Sequence, residues 1–261
     1  MKSEPDYMIG RTLHMKLGFL LVAVAAIGCS KLTLQTSDSD LLQIAPTNTS
    51  TLSVEHIISP YRDSVSKEMD QIIGYSLKSM ERGKPESTLG NFVSDVCMER
   101  INDTLTALGL PILDLFVFNS GGLRGVIPQG AIKRGEVFQV MPFDNELVWT
   151  EVTYDSLLSL FNYIGAKGGV PVSGISLSIS NQRCSDIRLL NGRTLETGQT
   201  YRIGTNDFLA NGGDGMTMLS SGNGAKSIGV KVRDAIIEHI TDLNASNTSI
   251  DTKLDGRIHE K

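Results

Sequence analysis

Residues 113–125 read Leu-Asp-Leu-Phe-Val-Phe-Asn-Ser-Gly-Gly-Leu-Arg-Gly, an apolar, β-rich run that stops abruptly at a polar segment with paired glycines. Such a run, short and bounded by turn residues, predicts a buried strand opening into a loop. Just upstream, between Thr88 and Leu108, Leu89, Phe92, Val93, Val96, Cys97, Ile101, Leu105 and Leu108 recur every three or four positions. That spacing puts one apolar stripe on a helix, and the stripe should lie on the sheet that contains the strand.

Working outward, the elements alternate irregularly. Ser59 to Gln71 reads as a helix behind Pro60, and Ile72 to Leu77 as a strand. Glu146 to Val152 predicts a strand followed by a helix from Tyr154 to Ile164. Ile175 to Ile179 and Ile187 to Leu190 alternate as a strand pair, with Asn191-Gly192 as a turn signal. Tyr201 to Gly204 leads into a second glycine-rich loop at Asn211 to Gly215, and Ile228 to Leu243 closes the pattern as a helix. No repeat of solenoid period is present.

The chain has 261 residues, 40% of them hydrophobic, and a formal net charge of -5. Its composition is globular, with room for one good core. No long basic block is present, so nucleic-acid polymers are not expected as ligands. Three cysteines, Cys29, Cys97 and Cys184, are too few for a disulfide scaffold and lack zinc spacing. Cys97 falls on the apolar helix face and is expected as a buried free thiol.

Leu17 to Ile27 (LGFLLVAVAAI) follows Met15-Lys16 and is too short for a membrane span of about 20 residues. Residues 1–28 therefore read as an export signal. The run ends in Ala26-Ile27-Gly28-Cys29, which resembles the lipobox of bacterial lipoprotein precursors and implies Cys29 as the lipidated residue. An uncleaved anchor or a core helix is the competing reading. Residues 29–53, rich in Ser, Thr, Asp and Gln, are expected to be a flexible tether, with the folded domain over 54–261. The implied location is a bacterial cell envelope, with the membrane as a partner through the lipid.

Two loops, Asn119 to Gly125 and Asn206 to Gly215, each follow a predicted strand. Asn119 offers a donor and an acceptor, Arg124 a planar fork suited to phosphate, and Asp214 a carboxylate suited to a ribose diol. Phe143 and Phe208 lie beside loop glycines, where rings can stack on a base or simply fill a core.

The blocks LGNFVSD (Leu89 to Asp95), NSGGLRG (Asn119 to Gly125), MPFDN (Met141 to Asn145), NDFLANGGDG (Asn206 to Gly215) and LDGRI (Leu254 to Ile258) together resemble the C-terminal, substrate-binding domain of the 5'-nucleotidase family, in the family's order. The resemblance covers roughly residues 60 to 258. It implies a mixed α/β (α+β) fold, a single domain with a mixed central sheet flanked by helices. It also implies that Phe143 and Phe208 stack on the base, Asn119 meets its edge, Asp214 takes the ribose, Arg124 the phosphate, and Gly122 lines the site. For a further phosphate-binding arginine of the family, Arg82 is the candidate and Lys84 its competitor, because MERGKPESTLGN aligns only with a one-residue shift.

The family's hydrolysis is carried by a dimetal N-terminal domain. His14, His56, His239 and His259 stand in no metal-ligand context, and no G-x-S-x-G elbow is present. His56 and His239 read as packing or surface residues, and His259 as part of a solvated tail. No catalytic residue, metal ligand or cofactor is therefore expected in this chain. The divalent metals would belong to a separate metallophosphoesterase subunit, and a nucleotide or nucleoside would be the small-molecule ligand. The alternative is a non-catalytic nucleotide-binding lipoprotein.

Overall fold

A computed structural model describes residues 51–220, 222 and 224–261, with side chains from Val54 onward. The expected signal, Cys29 and most of the tether lie outside the described residues. The strands are β1 (Ile72–Ser76), β2 (Leu115–Val117), β3 (Gly130–Lys133), β4 (Glu146–Thr153), β5 (Val172–Ser173), β6 (Ile175–Ser180), β7 (Arg183–Leu189), β8 (Thr200–Asn206), β9 (Lys226–Lys231) and β10 (Ile258–Glu260). The helices are α1 (Thr51–Met69), α2 (Thr88–Ala107), α3 (Arg134–Val140), α4 (Tyr154–Ala166), α5 (Asp207–Ala210) and α6 (Val232–Ala245).

The central sheet has the order β5-β2-β8-β4-β9. It is mixed: β2 runs parallel to β8, whereas β5, β4 and β9 are antiparallel to their neighbours. Leu115, Phe116 and Val117 are fully buried because β2 is an interior strand covered on both faces, which is why its sequence does not alternate. Helix α2 packs on β2, β4, β5 and β8 through the predicted stripe, and α4 packs on β4, β7 and β8. The fold class expected from the sequence is the one observed.

Several boundaries differ from expectation. Helix α1 starts at Thr51 and carries Pro60 inside it. A proline in a helix removes one i→i−4 bond, here the one to the His56 carbonyl, and the flanking turns continue regardless. Leu108, counted on the stripe of α2, follows the helix as its C-cap and is exposed. The β6–β7 hairpin turns at Asn181-Gln182, both at positive φ (48° and 59°), rather than at Asn191-Gly192. A two-residue turn with both φ positive matches the strand twist, and Gln in that role gives no sequence signal. Residues 226–231, partly expected as helix, form edge strand β9, where Gly229 at φ 72° interrupts any helical run. The tail is also ordered. β10 pairs in parallel with β6, and His259 meets the Ser178 hydroxyl at 2.9 Å. His239 packs edge-on against Phe92, their ring centroids 6.0 Å apart.

Two of the five sequence blocks join as a clasp. Arg257 of LDGRI forms a two-pronged pair with Asp95 of LGNFVSD (2.6 and 2.9 Å) and donates to the Val172 carbonyl at 2.9 Å. Asn91 donates to the Lys253 carbonyl (3.0 Å), and Glu86 accepts from the backbone of Asp255 (2.8 Å) and Gly256 (3.1 Å). Burial opposes the Arg257 charge, but the hydrogen bonds it donates to the Asp255 and Asp95 carboxylates more than offset it and raise its pKa. The same bond holds the Asp255 carboxyl below the usual carboxylate range. A depressed folded-state pKa gives stability that is present above the unfolded value near 4 and lost as the pH falls through the folded one. Arg257→Ala is expected to cost about 2 kcal/mol at neutral pH, discounted from a fully buried pair because both carboxylates are half-exposed. Its deficit in urea unfolding should shrink below about pH 4. An unchanged midpoint at neutral pH would show the clasp to be inert.

Candidate functional site

The C-terminal end of β2 delivers Asn119 to the site, because the chain leaves the sheet there in a single 3₁₀ turn, Ser120–Gly122. Asn119 is 7% exposed, and its Nδ2 donates to the Asp214 carboxylate. A carboxylate only accepts, so that bond fixes the amide orientation. Oδ1 is then buried with no partner. An unpaired buried acceptor costs about 1–3 kcal/mol and is a feature to be satisfied by a ligand donor. At Gly122 a Cβ would stand 2.5 Å from the Phe118 ring and 2.8 Å from Asn119 Oδ1, so only glycine lets the turn close over the amide.

The aromatic side of the site is held by two fixed loops. Phe143 lies in the loop after α3, pinned by Arg233, which is 8% exposed, stacks 4.2 Å over Phe138 and bonds the Asp144 carboxylate. Arg233 and Lys231 hold the Asp144 carboxyl below its ordinary range. The Val232 N–H closes the same loop on the Asn145 carbonyl at 2.9 Å. Phe208 rides on α5, whose N-cap Asn206 accepts from the Leu209 N–H at 2.8 Å. The Asp207 carboxylate joins the two loops by accepting from the Glu146 N–H at 3.2 Å and the Phe208 N–H at 2.8 Å. A Cβ on Gly213 would fall 2.5 Å from the Phe208 ring, so this glycine is what seats the ring.

Asp214 sits at φ 52°, in the left-handed region, with Gly212 and Gly215 on either side also at positive φ. Its carbonyl accepts from the Tyr163 hydroxyl at 3.0 Å, which anchors the strained residue to α4. Burial, with the Asp214 charge adding to it, raises the Tyr163 phenol pKa. Arg124 bonds through its backbone N–H to the Val140 carbonyl (2.9 Å) and places its guanidinium carbon 5.5 Å from the Phe143 ring centroid. It makes no ion pair among the described residues.

These side chains line one pocket of about 290 Å³, near the lower end of the roughly 300–1,000 Å³ typical of small-molecule sites. Asn119, Gly122, Arg124, Phe143, Phe208 and Asp214 all border it. Asn145 and Gly121 also border it and were not singled out, although both stand inside blocks read from the sequence. Phe143 and Phe208 are 38% and 45% exposed, so neither is a core residue. Arg82 stands apart from this wall and donates to the Leu123 carbonyl at 3.0 Å, beside Arg124. Its competitor Lys84 lies at a neighbouring pocket. Among the described residues no three His, Cys, Asp or Glu side chains converge as metal ligands.

A family model described as the 5'-nucleotidase C-terminal domain matches residues 66–221. The trifunctional nucleotide phosphoesterase protein YfkN of Bacillus subtilis is 25% identical over 223 residues, covering 78% of this chain and 15% of that protein. The cell wall protein Lmo0130 of Listeria monocytogenes is 27% identical over 188 residues, covering 66% of this chain and 23% of its own length. The crystal structure of the 5'-nucleotidase precursor from Thermus thermophilus superimposes with a TM-score of 0.66 at 24% identity, over 80% of this chain and 43% of that one, which is a likeness of fold. The chain thus spans less than half the length of each of these proteins. With more than half of its residues under the family model, the chain belongs to the 5'-nucleotidase family through that family's C-terminal domain.

Proposed function

We propose that this domain recognises a nucleotide, and that it completes a 5'-nucleotidase-type phosphohydrolase whose metal-bearing half is a separate metallophosphoesterase chain. One observation carries the reading: two half-exposed phenylalanines, an unpaired buried amide oxygen, a carboxylate and a guanidinium with no ion pair among the described residues share one pocket. Each suits one part of a nucleotide. Phe143 and Phe208 offer faces for the base, Asn119 Oδ1 an acceptor for an exocyclic amine, Asp214 an acceptor for ribose hydroxyls, and Arg124 a fork for phosphate. Gly122 forms the wall under the amide, and Arg82 supports the loop that carries Arg124.

The division of labour rests on the family match, which falls on the C-terminal domain. In this scheme the partner's metals act on the phosphate held near Arg124. The cell-wall name of one relative favours an extracytoplasmic location, and Cys29 is proposed as the lipid-bearing residue of an envelope lipoprotein. Incubating the purified chain with manganese and AMP, alone and then with a candidate metallophosphoesterase, tests the scheme. Phosphate release is expected only from the mixture. Turnover by this chain alone would overturn the division of labour. Tight AMP binding with no turnover alongside any partner would favour simple capture.

A further inference from the structure

A second pocket, of about 210 Å³, adjoins the first and shares Asn119, Gly121 and Asp214 with it. Its other walls include Lys84, Tyr163, Lys167 and Gly169. The wall common to both pockets is therefore the Asn119–Asp214 hydrogen bond, with Arg124 bordering only the first pocket and two ammonium groups only the second.

The two lysines come from segments far apart in sequence and are held side by side. Lys84 Nζ donates to the Lys167 carbonyl, and Lys167 Nζ stands 5.3 Å from the Tyr163 ring centroid. The loops meet so closely that a Cβ on Gly169 would fall 2.1 Å from the Pro85 carbonyl oxygen, and Gly169 itself is at φ 99°. Neither lysine makes an ion pair among the described residues, whereas Lys78, Lys133, Lys231, Lys253 and Lys261 each find a carboxylate. Two unneutralised ammonium groups beside a concave wall form a point-charge site for a dianion. Asp214 opposes such an anion with a single charge, and Asn119 already engages that carboxylate.

Resting on the nucleotide reading above, we infer that the second pocket takes a phosphate carried on the 2'- or 3'-hydroxyl of a nucleotide whose 5'-phosphate meets Arg124. A ribose seated on Asp214 presents its diol edge to the wall between the pockets. A phosphate on either of those hydroxyls then extends toward Lys84 and Lys167, and the remaining hydroxyl still donates to Asp214. The ligand class becomes nucleoside bisphosphates, with AMP-like monophosphates filling one pocket of the two.

Calorimetry on the full chain at low ionic strength, with AMP, adenosine 3',5'-bisphosphate and adenosine 2',5'-bisphosphate, tests this. The proteins are wild type, Lys167→Ala, and the double variant Lys84→Ala with Lys167→Ala. At least one bisphosphate is expected to bind about fivefold or more tightly than AMP, which is what two exposed ammonium–phosphate contacts give. The gain should shrink in Lys167→Ala, with AMP affinity unchanged, and disappear in the double variant, and it should fade as salt is added. AMP binding with no gain from either bisphosphate overturns the inference and leaves the nucleotide reading standing. A gain that survives both substitutions, or an equal loss of AMP binding, overturns it as well. Failure of all three ligands to bind wild type removes both.

Discussion

Replacing Phe143 and Phe208 together by alanine is expected to abolish measurable AMP binding while the protein stays folded. Base–aromatic stacking is worth about 1–3 kcal/mol per ring by alanine substitution, so losing two rings costs about 2–6 kcal/mol, at least a thirtyfold fall in affinity. The effect on stability should stay within about 1 kcal/mol, because neither ring fills the core. Each ring is seated from outside itself, Phe208 over Gly213 and Phe143 in the loop pinned by Arg233, so truncation removes a platform and leaves its supports. Titration calorimetry beside thermal unfolding separates the two effects. Retained AMP affinity in the double variant would mean that the rings are not the base site.

The largest expected stability loss lies at Asp114, a residue with no place in the pocket. Its side chain is 3% exposed and accepts from Asn191 Nδ2 at 2.8 Å, from Arg193 Nη1 at 2.7 Å and from the Arg202 backbone N–H at 2.8 Å. Asp114→Ala leaves the Arg202 amide without its partner and cuts the tie between β2, β8 and the segment joining β7 to β8. The cost should be about 3 kcal/mol, lowering the melting temperature by roughly 6–12 °C for a domain of this size. Asp114→Asn, which keeps the shape but not the charge, should lose less. Equal stability of wild type and Asp114→Ala would refute this role. Because the chain leaving β2 carries Asn119 two residues past the strand, the alanine variant should also weaken ligand binding, and the asparagine variant should partly restore it.

Asp114 also illustrates where sequence reading stopped. In Leu113 to Phe118 it is one charged residue in a buried strand, and its partners lie 77 to 88 positions away. Nothing local announces them. The clasp of Asp95 with Arg257 is similar. Both residues stood in blocks whose order pointed to the family, yet the pair is structural and spans 162 positions. The Asn181-Gln182 turn escaped because it uses neither glycine nor proline, and β9 because its apolar residues continue smoothly into α6. Lys84 and Lys167 were invisible as a pair, since a glycine at a third position is what lets their loops touch.

By itself the amino-acid sequence determined what periodicity and punctuation carry. It placed the apolar stripe of α2, the buried strand before Asn119, the glycine loops after two strands, and the ordered blocks that marked the family. These are local signals, set by backbone geometry and side-chain burial within a few residues. The tertiary structure alone decided which loops converge, that the Asn119 amide gives its N–H to Asp214 and keeps an unpaired oxygen, and that cations border both pockets. Those facts depend on strand order and loop approach across the whole chain. Electrostatics and hydrogen bonding act on distance in space, which sequence separation does not encode.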